Sequence, residues 1–288
     1  MLSGKLLLPR KFSFKTWQIW SFICFFCAFA AVPFLLTLQG DFLAENMGED
    51  NPFSIEVLML VNAGINAVLC VVLAGIGLWI ASRLGLGLPL IEDALNETYD
   101  RKKIMRFGAI AILAGLVVSA LIIALDAVVF LQPLTRILEP PGIDLTSSRP
   151  TFWKGILAAF SAGVVEETIY RLFGLSLLIW VGFRLRKTDD GYPLSVVFLV
   201  ANVIIAVVFG VSHISNLAMF DVELTTPIVI RLVVLNGLGA LIFGWLYWRF
   251  GLETAVVAHV VTDIILQGVG SLVAHSETIP YALFVYVI

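Results

Sequence analysis

Long uninterrupted apolar stretches dominate this sequence and constrain its fold more than any other feature. Each approaches or exceeds the length of about 20 residues that a helix needs to cross the hydrocarbon core of a bilayer. The stretches cover residues 17–38, 55–82, 107–131, 152–183, 193–215, 228–248 and 252–273. Only 14% of the residues are charged, against about 25% in soluble domains. The sequence therefore predicts a membrane protein.

The apolar stretches are continuous rather than alternating, which favours helices over a membrane barrel. Seven stretches predict seven spans. An eighth crossing arises if the stretch 152–183 breaks near Gly174, or if the apolar tail 281–288 joins a membrane-embedded segment. We therefore expect an all-α fold, a polytopic bundle of seven to eight transmembrane helices.

The distribution of basic residues predicts the orientation of the bundle, since Lys and Arg concentrate in cytoplasmic loops. The basic segments are the N-terminus, the 83–106 loop, residues 184–187 and Arg249. With alternating spans, all four lie in the cytoplasm if the N-terminus does. We expect a multi-pass protein of the cell membrane, of the kind found in prokaryotic inner membranes, with a cytoplasmic N-terminus.

A proline-rich stretch at 132–151 separates two halves of the chain. It predicts an N-terminal region, 1–151, with three spans, and a second membrane region, 152–288, that is denser in polar residues. The net charge of −3 gives no reason to expect a nucleic-acid partner, whereas the lipid bilayer is an expected one. The three cysteines lie in apolar runs and are interpreted as core filler.

Ionisable side chains inside the apolar stretches are the candidates for function. Such groups cost several kcal/mol at bilayer depth and are usually paired in the bundle or functional. The candidates are Glu166, Glu167, Arg171, His213, His259 and Asp263. Taken singly, each can be a structural ion pair or a hydrogen-bonding group between helices. Two of the chain's three histidines lie mid-span in the half that holds the carboxylate pair, which favours a shared site.

Helical phase divides the two adjacent glutamates. Glu167 and Arg171 lie one turn apart on one face, in the order that favours an ion pair. Glu166 points about 100° away, so it is free to face the bundle interior. A desolvated, unpaired carboxylate there suits a general base.

Phe209 and His213 also share a helix face, as do His259 and Asp263. The second spacing suits two ligands of one metal, or a histidine oriented by a carboxylate. If a metal is present, Glu166, His213, His259 and Asp263 are the expected ligands and zinc the expected ion. In upright helices His213 and His259 lie at different depths, about 30 Å and 10 Å from their span starts, so a shared site requires tilt or a shifted helix start.

Three motifs in this order, Glu166-Glu167-x-x-x-Arg171, Phe209-x-x-x-His213 and His259-x-x-x-Asp263, resemble the CPBP family of CAAX proteases and bacteriocin-processing enzymes, also called the ABI family. A eukaryotic relative is the type II CAAX prenyl endopeptidase, which typically carries Asn at the position of Asp263. The resemblance covers about residues 152–273.

The resemblance implies an intramembrane protease that cleaves membrane-anchored, in some members prenylated, proteins or peptides. Glu166 would activate water, His213 would position it, and His259 and Asp263 would stabilise the oxyanion or orient its donors. We favour a glutamate-dependent mechanism over a zinc metalloprotease, since His-Glu-x-x-His is absent. The alternatives are a non-catalytic membrane partner, such as an immunity or secretion-accessory protein, and a proton-coupled transporter.

Overall fold

The computed structural model describes residues 11–46, 52–130, 150–185, 195–217 and 224–269, which form helices and no strand. The first half contains α1 (Phe14–Ala30), α2 (Val32–Asn46), α3 (Ile55–Leu84), α4 (Pro89–Leu95), α5 (Arg101–Leu125) and a π-helical segment, Asp126–Phe130. The second half contains α6 (Phe152–Glu166), π-helical Glu167–Leu175, α7 (Ser176–Leu185), α8 (Ser195–Ser212), α9 (Ile214–Leu217), α10 (Thr226–Phe250), α11 (Leu252–Asp263) and π-helical Ile264–Val269.

Six helices of the described residues are long and apolar enough to cross a membrane. They are Phe14–Gly40, Ile55–Leu84, Arg101–Phe130, Phe152–Leu185, Ser195–Ser212 and Thr226–Phe250. The predicted polytopic helical bundle is therefore confirmed. The predicted seventh span begins as α11 and its π-helical extension. Its remainder, the apolar tail and the proline-rich stretch 132–149 lie outside the described residues.

The condition for an eighth crossing at Gly174 is not met, because the chain is helical throughout Phe152–Leu185. A π-helical segment of nine residues, Glu167–Leu175, carries the helix through this region. Gly174 instead allows close packing, since a Cβ there would lie 3.1 Å from the Ile205 side chain of α8. Phe152–Leu185 is accordingly one crossing rather than two.

Helix α11 is wedged between α5 and α6 at two glycines. A Cβ on Gly115 of α5 would lie 2.6 Å from the carbonyl oxygen of Ala258, and one on Gly163 of α6 would lie 2.5 Å from Val260. Small residues let helix backbones approach closely in membranes. These contacts flank His259 and fix its depth in the bundle.

The start of α11 is fixed by α4. Glu253 accepts hydrogen bonds from the backbone N–H groups of Leu90, at 2.8 Å, and Ile91, at 3.0 Å. The carboxylate thus caps the first turn of α4. Gly251, which has φ of +97°, makes the turn from α10 into α11.

A buried ion pair joins the two halves of the chain. Arg231 of α10 donates to both carboxylate oxygens of Asp126, each at 2.7 Å. This bidentate geometry is the strong form of the arginine–carboxylate contact. The sequence analysis did not single out Arg231, although a charge within an apolar stretch was a sufficient signal.

Candidate active site

The first element of the site is the ion pair predicted from helical spacing. Nη1 of Arg171 lies 2.9 Å from Oε1 of Glu167, and both side chains are fully buried. The guanidinium also lies over the ring of Phe209, 4.6 Å from its centroid, and 5.6 Å from that of Phe243. Ring faces attract a desolvated cation, so Arg171 is held by one carboxylate and two aromatic rings.

Glu167 also holds His259, which the sequence analysis did not foresee. Nδ1 of His259 lies 2.8 Å from the same Oε1 atom. Because a carboxylate oxygen accepts, the imidazole donates from Nδ1. Its ring stacks on Phe243 with centroids 4.8 Å apart. A carboxylate on one ring nitrogen fixes the orientation of the other nitrogen, so Nε2 is directed into the site.

Nε2 of His259 faces the other two carboxylates of the cluster. It lies 3.5 Å from Oδ2 of Asp263, one turn later on α11, and 3.9 Å from Oε2 of Glu166. Oδ2 of Asp263 is buried and has no hydrogen-bond partner among the described residues. Carboxylates from α6, from the π-helical segment Glu167–Leu175 and from α11 therefore meet at this imidazole.

His213 completes the cluster from the end of α8. Its Nδ1 lies 2.7 Å from the carbonyl oxygen of Phe209. A carbonyl only accepts, so Nδ1 carries a hydrogen and Nε2 of the neutral ring is an acceptor. The Phe209 ring lies 4.6 Å from the His213 ring and 6.1 Å from the His259 ring, between centroids. The structure thus brings both histidines into one site, with the Phe209 ring next to each of them.

Two cavities adjoin the cluster. The larger, of about 490 Å³, is lined by Glu166, Tyr170, Ser212 and His213 and by residues of α1, α2 and α3. The smaller, of about 20 Å³, lies between His213, His259 and Asp263, and a polar cavity of that volume can hold about one water. His213 lines both cavities.

The two adjacent glutamates differ sharply in access. The Glu166 side chain is 28% exposed, whereas the Glu167 side chain is 0% exposed. Glu167 is engaged by Arg171 and His259, while Glu166 lines the larger cavity. Glu166 is therefore the carboxylate of this pair that a cavity ligand can contact.

Tyr170 is a site residue that the sequence analysis missed. Its hydroxyl donates to Oγ of Ser212 at 2.8 Å, and its ring packs edge-on against Phe209 at 4.9 Å. Ser212 in turn donates to the carbonyl oxygen of Phe209. The position of Tyr170 between Glu167 and Arg171 was the available signal. These contacts hold α8 against the π-helical segment.

The N-terminal half supports the site through α1. Nε1 of the buried Trp20 donates to Oγ1 of Thr168 at 2.9 Å. Thr168 also donates to the carbonyl oxygen of Val164. The residue that follows Glu167 is thus fixed by a helix almost 150 residues earlier in the chain.

The predicted metal ligand set, Glu166, His213, His259 and Asp263, is not supported. In the described part of the chain, no group of three or more His, Cys, Asp or Glu side chains is placed to hold a metal ion. Ligand atoms about 2.0–2.2 Å from one tetrahedral zinc lie within roughly 3.6 Å of each other. The 3.9 Å between Oε2 of Glu166 and Nε2 of His259 exceeds that separation, so these two atoms as placed do not share one tetrahedral zinc.

Comparison with known proteins bears on the second half of the chain. No curated protein and no solved structure gives a significant match. Residues 148–265 match the family described as type II CAAX prenyl endopeptidase Rce1-like. The matched region contains every predicted site residue, from Glu166 to Asp263, and confirms the resemblance drawn from the motifs.

The family implies an intramembrane protease, and with it a membrane location and membrane-embedded protein substrates. The membrane location agrees with six apolar helices of spanning length in the described residues. Residues 148–265 of this chain are thus similar to the Rce1-like family of type II CAAX prenyl endopeptidases.

Proposed function

We propose that this protein is an intramembrane endopeptidase in which Glu166 activates water to hydrolyse peptide bonds of membrane-anchored proteins or peptides. The observation that carries the proposal is the unequal access of two adjacent carboxylates. Glu167 is buried between Arg171 and His259, whereas Glu166 lines a cavity of about 490 Å³. Pockets of roughly 300–1,000 Å³ are typical of ligand sites.

Glu166 and His213 act together on the water in this proposal. Both line the larger cavity, so a water bound there can contact both side chains. Nε2 of neutral His213 accepts one hydrogen of that water, because Nδ1 donates to the Phe209 carbonyl. The other hydrogen points to the Glu166 carboxylate. This arrangement directs the oxygen lone pair toward a peptide carbonyl in the cavity.

Hydrolysis then requires two proton transfers, and Glu166 carries out both. Glu166 takes one proton from the water as the oxygen adds to the scissile carbonyl carbon. The tetrahedral intermediate collapses, the C–N bond breaks, and protonated Glu166 gives its proton to the leaving amine. The products are a new carboxyl and a new amino terminus, and Glu166 is again a carboxylate. Such proton transfer contributes about 10²- to 10⁴-fold in rate.

His259 supports the oxyanion. In the imidazolium form it donates from Nδ1 to Glu167 and from Nε2 to the oxygen of the tetrahedral intermediate. Asp263, 3.5 Å from Nε2, balances the imidazolium charge and holds the ring in place. Donors fixed in advance in a water-poor site stabilise developing charge strongly. His259 and His213 therefore have different tasks in the same reaction.

The N-terminal half contributes to the cavity that would hold the substrate. Ala28, Phe34 and Met59 line it together with Glu166, so α1, α2 and α3 border the bound peptide. We propose substrates anchored in the bilayer, including prenylated peptides, with the N-terminus of the enzyme in the cytoplasm. The region 1–151 then serves as a substrate-facing wall for the catalytic region 152–288.

The test is cleavage by the purified full chain in lipid nanodiscs. The panel comprises fluorescent peptides with either a farnesylated C-terminal cysteine motif or one hydrophobic anchor segment, incubated in H₂¹⁸O. The proposal expects cleavage with ¹⁸O in the new carboxyl group, and loss of cleavage in Glu166→Gln. Absence of cleavage across the panel, with pH-driven proton flux in vesicles, would favour the transporter alternative.

A further inference from the structure

Two amide side chains face the large cavity from α3, an otherwise apolar span. Asn62 and Asn66 both line this cavity. Nδ2 of Asn66 donates to the Asn62 carbonyl oxygen at 3.1 Å and to Asn62 Oδ1 at 3.4 Å. That leaves Oδ1 of Asn66 as an acceptor and Nδ2 of Asn62 as a donor for a ligand in the cavity. Polar groups in a span are expensive unless they face a cavity or a partner.

Two glutamines extend this amide lining to other elements. Gln39 of α2 and Gln267 of the last π-helical segment also line the cavity, and each residue is only 8% exposed. Oε1 of Gln267 is buried and has no hydrogen-bond partner among the described residues. A buried acceptor without a partner is destabilising, so a ligand that donates to it gains affinity.

We propose that Gln39, Asn62, Asn66 and Gln267 form a subsite that binds the main chain of the substrate in extended conformation. This inference rests on the proposed protease function and names how that site recognises its substrate. A carboxamide offers the same donor and acceptor as a peptide group, so it pairs with main chain whatever the side chains are. No role is assigned to these four residues by the family motifs.

The spacing of the two asparagines matches an extended peptide. Residues four apart on a helix are separated by about 6 Å along its axis. Main-chain groups that point to one side of an extended chain recur every second residue, about 6.6–6.8 Å. Asn62 and Asn66 can therefore contact alternate residues of a peptide that runs along α3. Such a peptide passes through the same cavity that Glu166 lines.

The subsite selects substrates by conformation. In a helix every interior N–H and C=O is already hydrogen-bonded within the segment. A helical anchor therefore has no free main-chain donor or acceptor that could pair with these amides. A segment that is unwound or extended presents its main chain fully. The enzyme should therefore cleave extended juxtamembrane segments and spare intact transmembrane helices of the same composition.

The experiment combines enzyme variants with main-chain variants of one substrate. The substrates are the farnesylated and the hydrophobically anchored fluorescent peptides, each with normal amides or with a single N-methyl amide moved along the segment flanking the cleavage site. The enzymes are the wild type, Asn66→Leu, Asn62→Leu and the control Ile65→Leu, which lies on the same helix but off the cavity. Thermal unfolding in detergent verifies that each variant is folded.

We expect Asn66→Leu and Asn62→Leu to raise KM by roughly three- to tenfold, with kcat nearly unchanged, because each removes one hydrogen bond to substrate. At one position, N-methylation should raise the wild-type KM similarly and have no further effect in Asn66→Leu. Equal KM in wild type and both asparagine variants, or N-methyl effects that simply add to those of the variants, would overturn the subsite.

A binding measurement separates this inference from the proposed function. The same peptides are titrated against Glu166→Gln protein with and without Asn66→Leu, with fluorescence anisotropy as the signal. If the wild type cleaves nothing but Asn66→Leu weakens binding, the subsite stands and the protease proposal falls. If the wild type cleaves the peptides but Asn66→Leu does not weaken binding, the protease proposal stands and the subsite falls. Peptides that neither bind nor react contradict both.

Discussion

Oε1 of Glu167 lies 2.8 Å from Nδ1 of His259, although the two residues are 92 positions apart in the chain. The same oxygen lies 2.9 Å from Arg171. One carboxylate thus ties the start of the π-helical segment to α11. This relationship gives Glu167 a positioning role and leaves Glu166, its neighbour, as the group that faces the cavity.

The first prediction compares the two neighbouring glutamates as structural elements. Glu167→Gln should lower the free energy of unfolding by about 3–5 kcal/mol, because it leaves the buried Arg171 without its counter-charge. Glu166→Gln is the matched control and should change stability little, since Glu166 is partly exposed to a cavity. Thermal unfolding in detergent micelles measures both. Equal stability of the two variants would contradict the assignment of Glu167 as the buried partner.

The second prediction concerns the depth of α11. Gly115→Ala should destabilise the protein by about 1–3 kcal/mol and reduce kcat, because its Cβ would press on the carbonyl oxygen of Ala258, the residue before His259. Gly108→Ala on the same helix meets nothing within 4 Å and should stabilise by about 0.5–1 kcal/mol. Similar effects of the two substitutions on kcat would show that the contact does not position His259.

The third prediction tests the ion pair between the two halves. Asp126→Asn should cost about 3–5 kcal/mol of unfolding free energy, because Arg231 loses a buried carboxylate. Replacing both residues, as Asp126→Leu with Arg231→Met, should recover most of that loss, since the buried charge of Arg231 is removed together with that of Asp126. A double variant that is no more stable than the single one would mean that the loss in Asp126→Asn does not come from the buried charge of Arg231.

The fourth prediction separates the contribution of the Asp263 charge from that of its polar oxygen. Asp263→Asn keeps a polar oxygen near Nε2 of His259 and should lower kcat by about tenfold or less. Asp263→Leu removes that oxygen and should lower kcat by about 100-fold or more. The comparison uses single-turnover cleavage at saturating substrate. Equal activity of the two variants would mean that the oxygen has no part in holding the imidazole.

The local features of the site were predictable from the sequence, because helical geometry alone sets them. Residues four apart share a helix face, so the Glu167–Arg171 pair followed from spacing, and it is present. The apolar stretches likewise predicted the helical bundle, because a span of that length has few alternatives in lipid.

Contacts between distant helices were not predictable in the same way. The bonds from Glu167 to His259 and from Trp20 to Thr168 depend on which helices adjoin and at what height. Spacing within one helix carries no information about that. Asn62 and Asn66 were overlooked for a different reason, since uncharged amides barely interrupt an apolar stretch.

The role of Glu166 as the base is tested by single-turnover cleavage with Glu166→Gln in nanodiscs, at saturating peptide. Glutamine preserves the size of the side chain but cannot take a proton from water. We predict that the rate falls by about 10²- to 10⁴-fold while peptide binding and thermal unfolding stay near wild-type values. A rate within a few-fold of wild type, in folded protein that binds the peptide, would contradict the proposed mechanism.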